Sequence, residues 1–300
     1  MASGKVRHIG VLDTAAPDPD RLALWGLFQR SLSALGNTDT SFEVRWAHGR
    51  TEWLAALADE LVKLGVDVLV TAGTPAAAAA SKATSTIPVV MATGVGLGTQ
   101  LTDGASKPNA NVTGFSDLPP GVSEKRLTLL QAMTGKGAPL AILCDRGNPS
   151  SPLALAETRK AAQPLGITVK DYWIASADEF GQALAAMKAD GIRGFVVAPG
   201  GLFFAQRTAL ARIAIENRLA TITARREYAE AGCLMTYGAP IRENYRQAAI
   251  YVSRILGGVK PADLPVDEPT EFDFVINTAT AEALGLTPPP ELLAKAVAVG

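Results

Sequence analysis

Hydrophobic and polar positions follow two alternating periodicities along the first third of the chain. Short apolar runs, typical of buried strands, are separated by segments with apolar residues at helical i, i+3 and i+4 spacing. The predicted strands are VRHIGVLDT, FEVRWAHG, VDVLVTAG and IPVVMATG, and the predicted helices are DPDRLALWGLFQRSLSALG, TEWLAALADELVKLG and TPAAAAASKAT. Such an order of strands and helices predicts a parallel sheet covered by helices on both faces.

Residues typical of helix ends support two of these helices. We expect Thr51 to cap the start of the second helix and Gly65 to end it. We expect Thr74 to cap the third helix, with Pro75 in its first turn.

The same pattern restarts in the middle of the chain and predicts a second α/β unit. Its strands are APLAILCDR, ITVKDYWIA, RGFVVAPGG and LATITAR, and its helices are SPLALAETRKAAQPLG, SADEFGQALAAMKADG and LFFAQRTALARIAIENR. The segment NANVTGFSDLPPGVSEKRL between the two units carries turn residues and a Pro-Pro pair, so it is predicted to be a crossover between them. The tail, with the helix PIRENYRQAAIYVSRILGG, a Pro-rich loop, a strand and a short helix, is too short for a third domain and is expected to pack back across both units.

Composition excludes several classes of partner. The chain has 300 residues, of which 48% are hydrophobic, and 28 basic against 29 acidic residues give a formal net charge of -1. This balance gives no support to a nucleic-acid or acidic-membrane partner. No apolar run approaches the roughly 18 residues of a membrane span, and the N-terminus has no apolar signal-peptide core.

Motifs for catalysis, cofactors and metals are missing. The stretch MATGVGLGTQ (residues 91–100) has the spacing G-x-G-x-G after the fourth strand, whereas the dinucleotide fingerprint is G-x-G-x-x-G after the first. His8, His48, Cys144 and Cys233 fit no metal-binding spacing. We therefore expect no catalytic residue, no cofactor and no metal, although an α/β enzyme assembled from distant residues is an alternative.

Small polar residues recur where strands end and helices begin. The four cases are Asp13-Thr14, Gly73-Thr74-Pro75, Asn148 to Ser151 and Pro199-Gly200-Gly201. In doubly wound sheets ligands bind at the carboxyl ends of strands, where helix N-termini present N–H groups that suit carboxylate or phosphate. Each residue alone is explained as a helix cap, so the prediction of a ligand site depends on the four converging.

Several long segments resemble one family. They are GTPAAAAASKATSTIPVV, NVTGFS, LFFAQRTALARIAIENRLATI, REYAEAGCLMTYG, YVSRILGGVKPADLPVDEPTEFDFVIN and TAEALGLTPPPELL. Together they resemble the substrate-binding proteins of ABC importers, in the branch that includes tryptophan and aromatic amino-acid-binding lipoproteins. The resemblance covers essentially the whole chain. The two predicted α/β units and the lack of a catalytic motif agree with it.

The resemblance implies a type I periplasmic-binding-protein fold of two doubly wound parallel-sheet lobes joined by a hinge. Residues 1–117 with about 240–270 form the expected N-terminal lobe, and residues 118–239 with about 271–300 the C-terminal lobe. A small organic ligand would be captured by closure of the lobes and delivered to the permease subunits of the importer. The resemblance also implies a monomer in the periplasm or another extracytoplasmic space, so we expect a signal segment to have been removed.

Departures from the family pattern carry the prediction about the ligand. Val95 stands where relatives usually have Asp, and Gly200 stands where they usually have an acid before LFFA. Arg225 replaces a usual aromatic residue beside Arg226. Because a buried ammonium group needs an acidic partner, we expect a carboxylate-bearing or neutral ligand, aromatic or acyl, rather than a standard amino acid.

Arg225 or Arg226 and the helix N-termini would hold the carboxylate, and Phe203, Phe204 and Tyr237 could wall an apolar section, with at least one Phe in the core. The glycines after the fourth strand would let backbone N–H groups approach the ligand. The candidate ligand-binding residues are Thr14, Thr74, Gly94, Val95, Ser116, Asn148, Gly200, Phe203, Arg225, Arg226 and Tyr237. The alternatives are an enzyme acting on a small organic acid or sugar, an aromatic amino-acid binder, and a ligand-sensing domain of a receptor or regulator.

Overall fold

The protein forms two compact α/β units in a computed structural model that describes residues 6–94, 111–116, 119 and 121–300. The N-terminal unit comprises Met1–Asp117 and Ile241–Pro269, and the C-terminal unit comprises Leu118–Pro240 and Thr270–Gly300. Each unit is therefore assembled from two segments that are distant in sequence.

The described strands and helices alternate in the order that the hydrophobic pattern predicts. The strands are β1 (Arg7–Asp13), β2 (Thr40–Trp46), β3 (Val68–Ala72), β4 (Val89–Thr93), β5 (Val112–Phe115), β6 (Leu140–Asp145), β7 (Val169–Ile174), β8 (Gly194–Val197), β9 (Ala220–Thr223), β10 (Met235–Gly238), β11 (Val266–Asp267), β12 (Asp273–Asn277) and β13 (Val297–Val299). The α-helices are α1 (Pro19–Ala34), α2 (Leu54–Lys63), α3 (Thr74–Ala83), α4 (Val122–Thr134), α5 (Ser151–Leu165), α6 (Phe180–Ala189), α7 (Gly201–Ala205), α8 (Arg207–Glu216), α9 (Arg226–Glu230), α10 (Ile241–Leu256), α11 (Thr278–Leu284) and α12 (Pro290–Leu293).

The N-terminal unit is built on a parallel sheet in the order β11-β5-β4-β3-β1-β2. Strands β3 and β4 are buried along their whole length, as expected for parallel strands covered on both faces. One face packs against α1 and α10 through an aromatic cluster that includes Trp25, Phe28 and Tyr245. The other face packs against α2 and the alanine run of α3, so α10 completes a core whose strands lie far earlier in the sequence.

The C-terminal unit has a sheet in the order β13-β12-β10-β9-β8-β6-β7. Its pairs are parallel except for β10 and β12, which run antiparallel. Helix α4 packs against α5, and α6 packs against α8. Both units are thus α/β with sheets dominated by parallel strands, as the sequence predicts.

Four local predictions differ from the structure. Thr51 does not cap α2: the segment 51–53 forms a 3-10 turn, and Trp53 precedes the helix without a side-chain cap bond. Gly73, not Thr74, is the N-cap of α3, while Thr74 is its first residue and Pro75 follows in the first turn. Gly65, with a φ of +67°, follows α2 as predicted.

The other two differences concern whole elements. The segment predicted as a crossover does connect the two units, but it is more regular than expected, since it contains β5 and the start of α4. The predicted helix that begins at Leu202 is divided into α7 and α8 at Gln206, whose φ of -108° is not helical.

None of the described helices is both long and apolar enough to cross a membrane. Within the same ranges, no group of three or more His, Cys, Asp and Glu side chains could hold a metal ion.

Candidate functional site

Four candidate residues of the N-terminal unit lie at the carboxyl ends of adjacent strands. Thr14 follows β1, Thr74 follows β3, Gly94 follows β4 and Ser116 follows β5, in the strand order β5-β4-β3-β1. Val95 lies outside the described residues. The parallel topology therefore brings Thr14, Thr74, Gly94 and Ser116 to one edge of the sheet.

Thr14, Thr74 and Gly94 are in close contact at this edge. Thr14 donates its amide N–H and its hydroxyl to the carbonyl of Ala72, at 3.2 Å for each. A Cβ atom on Gly73 would lie 2.7 Å from Thr14 Oγ1, and one on Gly94 would lie 3.1 Å from the Thr74 amide nitrogen. Because both glycines lack a side chain, the start of α3 lies directly against β1 and β4.

Asp13, the acid at the end of β1, is fully engaged in holding α1. Its carboxylate accepts hydrogen bonds from Arg21 (Nη2, 3.0 Å), Trp25 (Nε1, 2.8 Å) and the amide of Ala15 (2.8 Å). Arg21 Nε also lies 2.9 Å from Asp13 Oδ2, and both side chains are buried. Asp13 therefore anchors the β1–α1 turn.

Two strand-end hydroxyls at this edge have no hydrogen-bond partner among the described residues. They belong to Thr93, the last residue of β4, and to Ser116, and both are buried. The register Met91↔Gly114 makes their strands direct neighbours. Buried hydroxyls are rarely left unpaired, so this part of the edge has hydrogen-bonding capacity that the described chain does not use.

In the C-terminal unit Asn148, Gly200 and Arg225 follow β6, β8 and β9, and Tyr237 lies near the end of β10; these strands are adjacent, in the order β10-β9-β8-β6. Asn148 follows β6 and spans the gap to β8, because its Nδ2 donates to the carbonyl of Pro199 at 2.6 Å. Its Oδ1 accepts from the amide and the hydroxyl of Ser150. A Cβ atom on Gly200 would lie 3.3 Å from Asn148 Nδ2, so the structure brings Asn148 and Gly200 together.

The acid of this edge is Asp145, at the end of β6. It is buried and accepts a 2.8 Å hydrogen bond from the amide of Gly147. Burial raises the pKa of its carboxyl, and the bond from Gly147 opposes that rise only in part. The side chain thus stabilises its own turn, as Asp13 does in the other unit.

The two arginines after β9 lie in different surroundings. Arg226 is exposed and forms an ion pair with Glu230, with 2.7 Å between Nε and Oε1. Arg225 is half-buried, and its guanidinium carbon lies 5.2 Å from the centroid of the Phe204 ring. Arg225 is therefore the better placed of the two to meet a carboxylate in a partly desolvated position.

The aromatic candidates divide between core and edge. Phe203 is fully buried and stacks on Phe180 with 6.3 Å between ring centroids, and Phe204 is 2% exposed. Tyr237 is half-buried and stacks on Phe272 at 5.4 Å with an interplanar angle of 12°. The expectation of a Phe in the core thus holds for both, and Tyr237 is the aromatic candidate at the edge.

Sequence analysis missed Arg126 and three buried threonines of the strands, Thr93, Thr223 and Thr236. Arg126 on α4 is 2% exposed and donates from Nε to the Tyr237 carbonyl at 2.8 Å. The hydroxyls of Thr223 and Thr236 are buried without a partner among the described residues, like that of Thr93. For Thr93 and Thr223 the available signal was a threonine at the end of an apolar run. Thr236 lies inside β10, and neither for it nor for Arg126 did the sequence hold a signal.

A model of one protein family matches residues 14–299, and its description is ABC transporter substrate binding protein. The chain belongs to this family. The match covers the candidate residues of both units, from Thr14 to Tyr237.

One sequence relative and two solved structures are similar to this substrate-binding protein. A tyrosine-binding protein from Clostridioides difficile (strain R20291) is 24% identical over 77% of this chain, which spans 66% of the length of that relative. A domain from Streptococcus pneumonia, solved in complex with L-Trp, is 24% identical with a TM-score of 0.90 and covers 98% of this chain and 99% of its own. A conserved domain protein from Vibrio cholerae O1 biovar eltor is 25% identical with a TM-score of 0.91 and covers 99% of this chain and 100% of its own. The substrate-binding protein thus has the type I periplasmic-binding-protein fold.

Proposed function

We propose that the protein is the extracytoplasmic solute-binding component of an ABC importer and captures a small organic carboxylate. The observation that carries the proposal is the row of small polar residues at adjacent strand ends in each unit, in a chain of the substrate-binding family. In the part of the chain that the structure describes, these ends include buried hydroxyls with unused hydrogen-bonding capacity. Such groups suit the reversible binding of a ligand.

The hydrogen bonds of the two aspartates at strand ends support a ligand without an ammonium group. Asp13, at the end of β1, accepts hydrogen bonds from Arg21 of α1 and from the Ala15 amide, and Asp145, at the end of β6, accepts one from the Gly147 amide. A buried ammonium group would need a carboxylate that is not already engaged. The half-buried Arg225 offers the opposite charge at the end of β9.

An aromatic amino acid is the competing ligand class. It is favoured by the names of two relatives, a tyrosine-binding protein and a domain in complex with L-Trp. Tyr237, stacked on Phe272, would suit an aromatic group in either class of ligand. The two classes differ only in the ammonium group, so matched pairs of compounds separate them.

Calorimetric titration with two such pairs tests the ligand class. L-Trp is compared with indole-3-propionate, and L-Tyr with 3-(4-hydroxyphenyl)propionate. We expect the propionates to bind and the amino acids to bind at least about tenfold more weakly, which corresponds to about 1.4 kcal/mol. Tighter binding of the amino acids would assign the protein to the aromatic amino-acid class instead.

Variants in each unit test the location of the site. Thr74→Val removes a strand-end hydroxyl of the N-terminal unit, and Tyr237→Ala removes the stacked ring of the C-terminal unit. Each should weaken the compound that binds best by about tenfold or more. The matched controls Thr128→Val and Tyr172→Ala change exposed or half-buried residues elsewhere and should bind as the parent does. Unchanged binding in both test variants would place the site elsewhere.

The remaining parts of the proposal concern chemistry and partners. A binding protein returns its ligand unchanged, so the compound recovered after prolonged incubation should be identical by mass spectrometry. A new product would favour an α/β enzyme.

We also propose that the protein acts as an exported monomer that delivers its ligand to the permease subunits, which transport assays with the reconstituted importer would test.

A further inference from the structure

A cavity of about 380 Å³ lies in the C-terminal unit, at the opposite edge of the sheet from the candidate ligand residues. Its lining comes from the connections that lead into β8 and β9 and from the ends of α4, α6 and α11. These connections enter the amino ends of the strands, whereas Asn148, Gly200 and Tyr237 lie at the carboxyl ends. A volume of this size is in the range of small-molecule sites.

Three cations line this cavity, each from a different element or connection. Lys188 lies in the last turn of α6, Arg193 immediately precedes β8, and Arg218 lies in the turn between α8 and β9. Among the described residues none of the three forms an ion pair, and the described lining contains no acidic side chain. The cavity therefore concentrates positive charge in a protein whose net charge is -1.

The acids nearest in sequence are engaged elsewhere. Asp190 accepts hydrogen bonds from Lys170 and Tyr172, and these bonds lower the pKa of its carboxyl. Glu216 forms an ion pair with Arg212, with 2.6 Å between Nη1 and Oε1. Neither acid neutralises the three cations of the cavity.

The backbone holds the two arginines in place independently of their side chains. The amide of Arg193 donates to Pro139, and its carbonyl accepts from Ala220. Arg218 has a φ of +57°, a left-handed conformation that is uncommon for residues other than glycine and asparagine. The turn thus keeps a long cationic side chain at a position where glycine would be less strained.

From this arrangement we propose that the cavity is a second binding site, which takes a phosphate ester. Arginine guanidinium groups match the geometry of phosphate oxygens, and lysine adds a point charge. Ile192, Leu284 and Leu286 give the same cavity an apolar part, which suits the organic group of an ester better than a bare inorganic ion. The ester is either a soluble organic phosphate or the headgroup of a lipid.

Calorimetric titration with phenyl phosphate at low ionic strength tests the site, since exposed charges are screened by salt. The parent protein should bind the probe, and Arg193→Gln and Arg218→Asn should each weaken binding by about tenfold or more. Asparagine tolerates the left-handed backbone of Arg218, so that variant should fold. Lys160→Gln removes an exposed cation from α5 outside the cavity and should bind as the parent does.

Vesicle flotation separates the two sources of the ester. Binding to phosphatidylcholine vesicles that contain phosphatidylglycerol, but not to pure phosphatidylcholine, together with loss in Arg193→Gln, would identify a lipid headgroup. Binding of phenyl phosphate alone would identify a soluble ester.

The proposal is overturned if neither probe binds, or if Lys160→Gln loses binding as the cavity variants do. It is also overturned if the cations serve only to offset the negative ends of α6 and α8. In that case the variants would lower the unfolding temperature, and phenyl phosphate would not raise that of the parent protein. None of these measurements uses the ligand proposed to bind at the carboxyl ends of the strands, so their outcome is independent of the proposed import function.

Discussion

At the scale of single residues, the role of a charged side chain depends on the partners that packing gives it. Asp13 receives hydrogen bonds from Arg21, Trp25 and the Ala15 amide, so an acid at a strand end supports the fold rather than a ligand. Arg226 looks like a ligand residue in the sequence, yet Glu230 pairs with it at the surface. A buried pair that loses one partner leaves an uncompensated charge, whereas an exposed pair is solvated.

Replacement of Asp13 by Asn should therefore be among the most damaging single changes. Asp13→Asn keeps the shape of the side chain but leaves the charge of buried Arg21 without its partner carboxylate. We expect a loss of about 3–5 kcal/mol in the free energy of unfolding, measured by urea denaturation. The matched control Glu230→Gln breaks the exposed pair with Arg226 and should cost less than about 1 kcal/mol. Equal losses in the two variants would contradict the anchoring role of Asp13.

Gly94 tests the close contact between β4 and α3. In Gly94→Ala the new Cβ would lie 2.6 Å from Met91 Sδ and 3.1 Å from the Thr74 nitrogen, at a φ of +153°. We expect destabilisation by about 1–3 kcal/mol in urea denaturation. Gly181→Ala, in α6 with no atom within 4 Å of the new Cβ, should instead stabilise by about 0.5–1 kcal/mol.

Sequence analysis located several candidate residues at the strand ends but not the partners of their side chains. The strand ends could be located because Thr14, Thr74 and Gly94 directly follow apolar runs. The sequence predicted that at least one of Phe203 and Phe204 lies in the core, but not that both are buried, since both the core and an aromatic pocket select phenylalanine. The sequence also does not show whether the Asp13 carboxylate contacts a ligand or Arg21, because its partner depends on tertiary packing.

At the scale of elements, long periodic helices and strands with an uninterrupted apolar run were predictable, whereas β10 and its pairing were not. α1 and α10 each have 16 residues with an apolar face, and the sequence predicts both. β10 has four residues, too few to show a period. Its antiparallel pairing with β12 brings together strands separated by a long helix, and nothing local in the sequence records it.

The two-residue strand β11 depends on a contact with α10. The hydroxyl of Tyr251 donates to Asp267 at 2.6 Å and lies 3.1 Å from the Pro265 carbonyl. Tyr251→Phe should lower the free energy of unfolding by about 1.5–3 kcal/mol, the usual effect for a hydrogen bond to a charged group. Both carboxylate partners, Asp267 and Asp190, are exposed, so the two variants differ in the tyrosine: Tyr251 is buried, whereas Tyr172 is half-buried. The control Tyr172→Phe should therefore change the free energy of unfolding by less than about 1 kcal/mol. The comparison uses chemical denaturation of both variants, and similar losses would mean that the β11 contact is unimportant.

At the scale of the whole molecule, buried acidic groups link stability to alkaline pH. Cys144 and Cys233 are buried free thiols, and burial raises the pKa of each to about 12. Burial also raises the pKa values of the Tyr228 and Tyr251 hydroxyls. In the unfolded chain a thiol has a pKa of about 8.5 and a tyrosine hydroxyl about 10. The unfolded state therefore releases protons at a lower pH than the folded state does.

The free energy of unfolding should consequently fall as the pH rises above about 8.5. Well below that value each thiol is protonated in both states, and between it and a pH of about 12 the unfolded state ionises first, so each thiol contributes a slope of up to about 1.4 kcal/mol per pH unit. Urea denaturation at about pH 7.5, 8.3 and 9 should show this fall while the tyrosines of the unfolded chain are still mostly protonated. The variant Cys144→Ala/Cys233→Ala should start less stable, because it loses buried volume, but its stability should change far less over the same interval. An equal slope with and without the thiols would mean that other groups govern the alkaline limit of this fold.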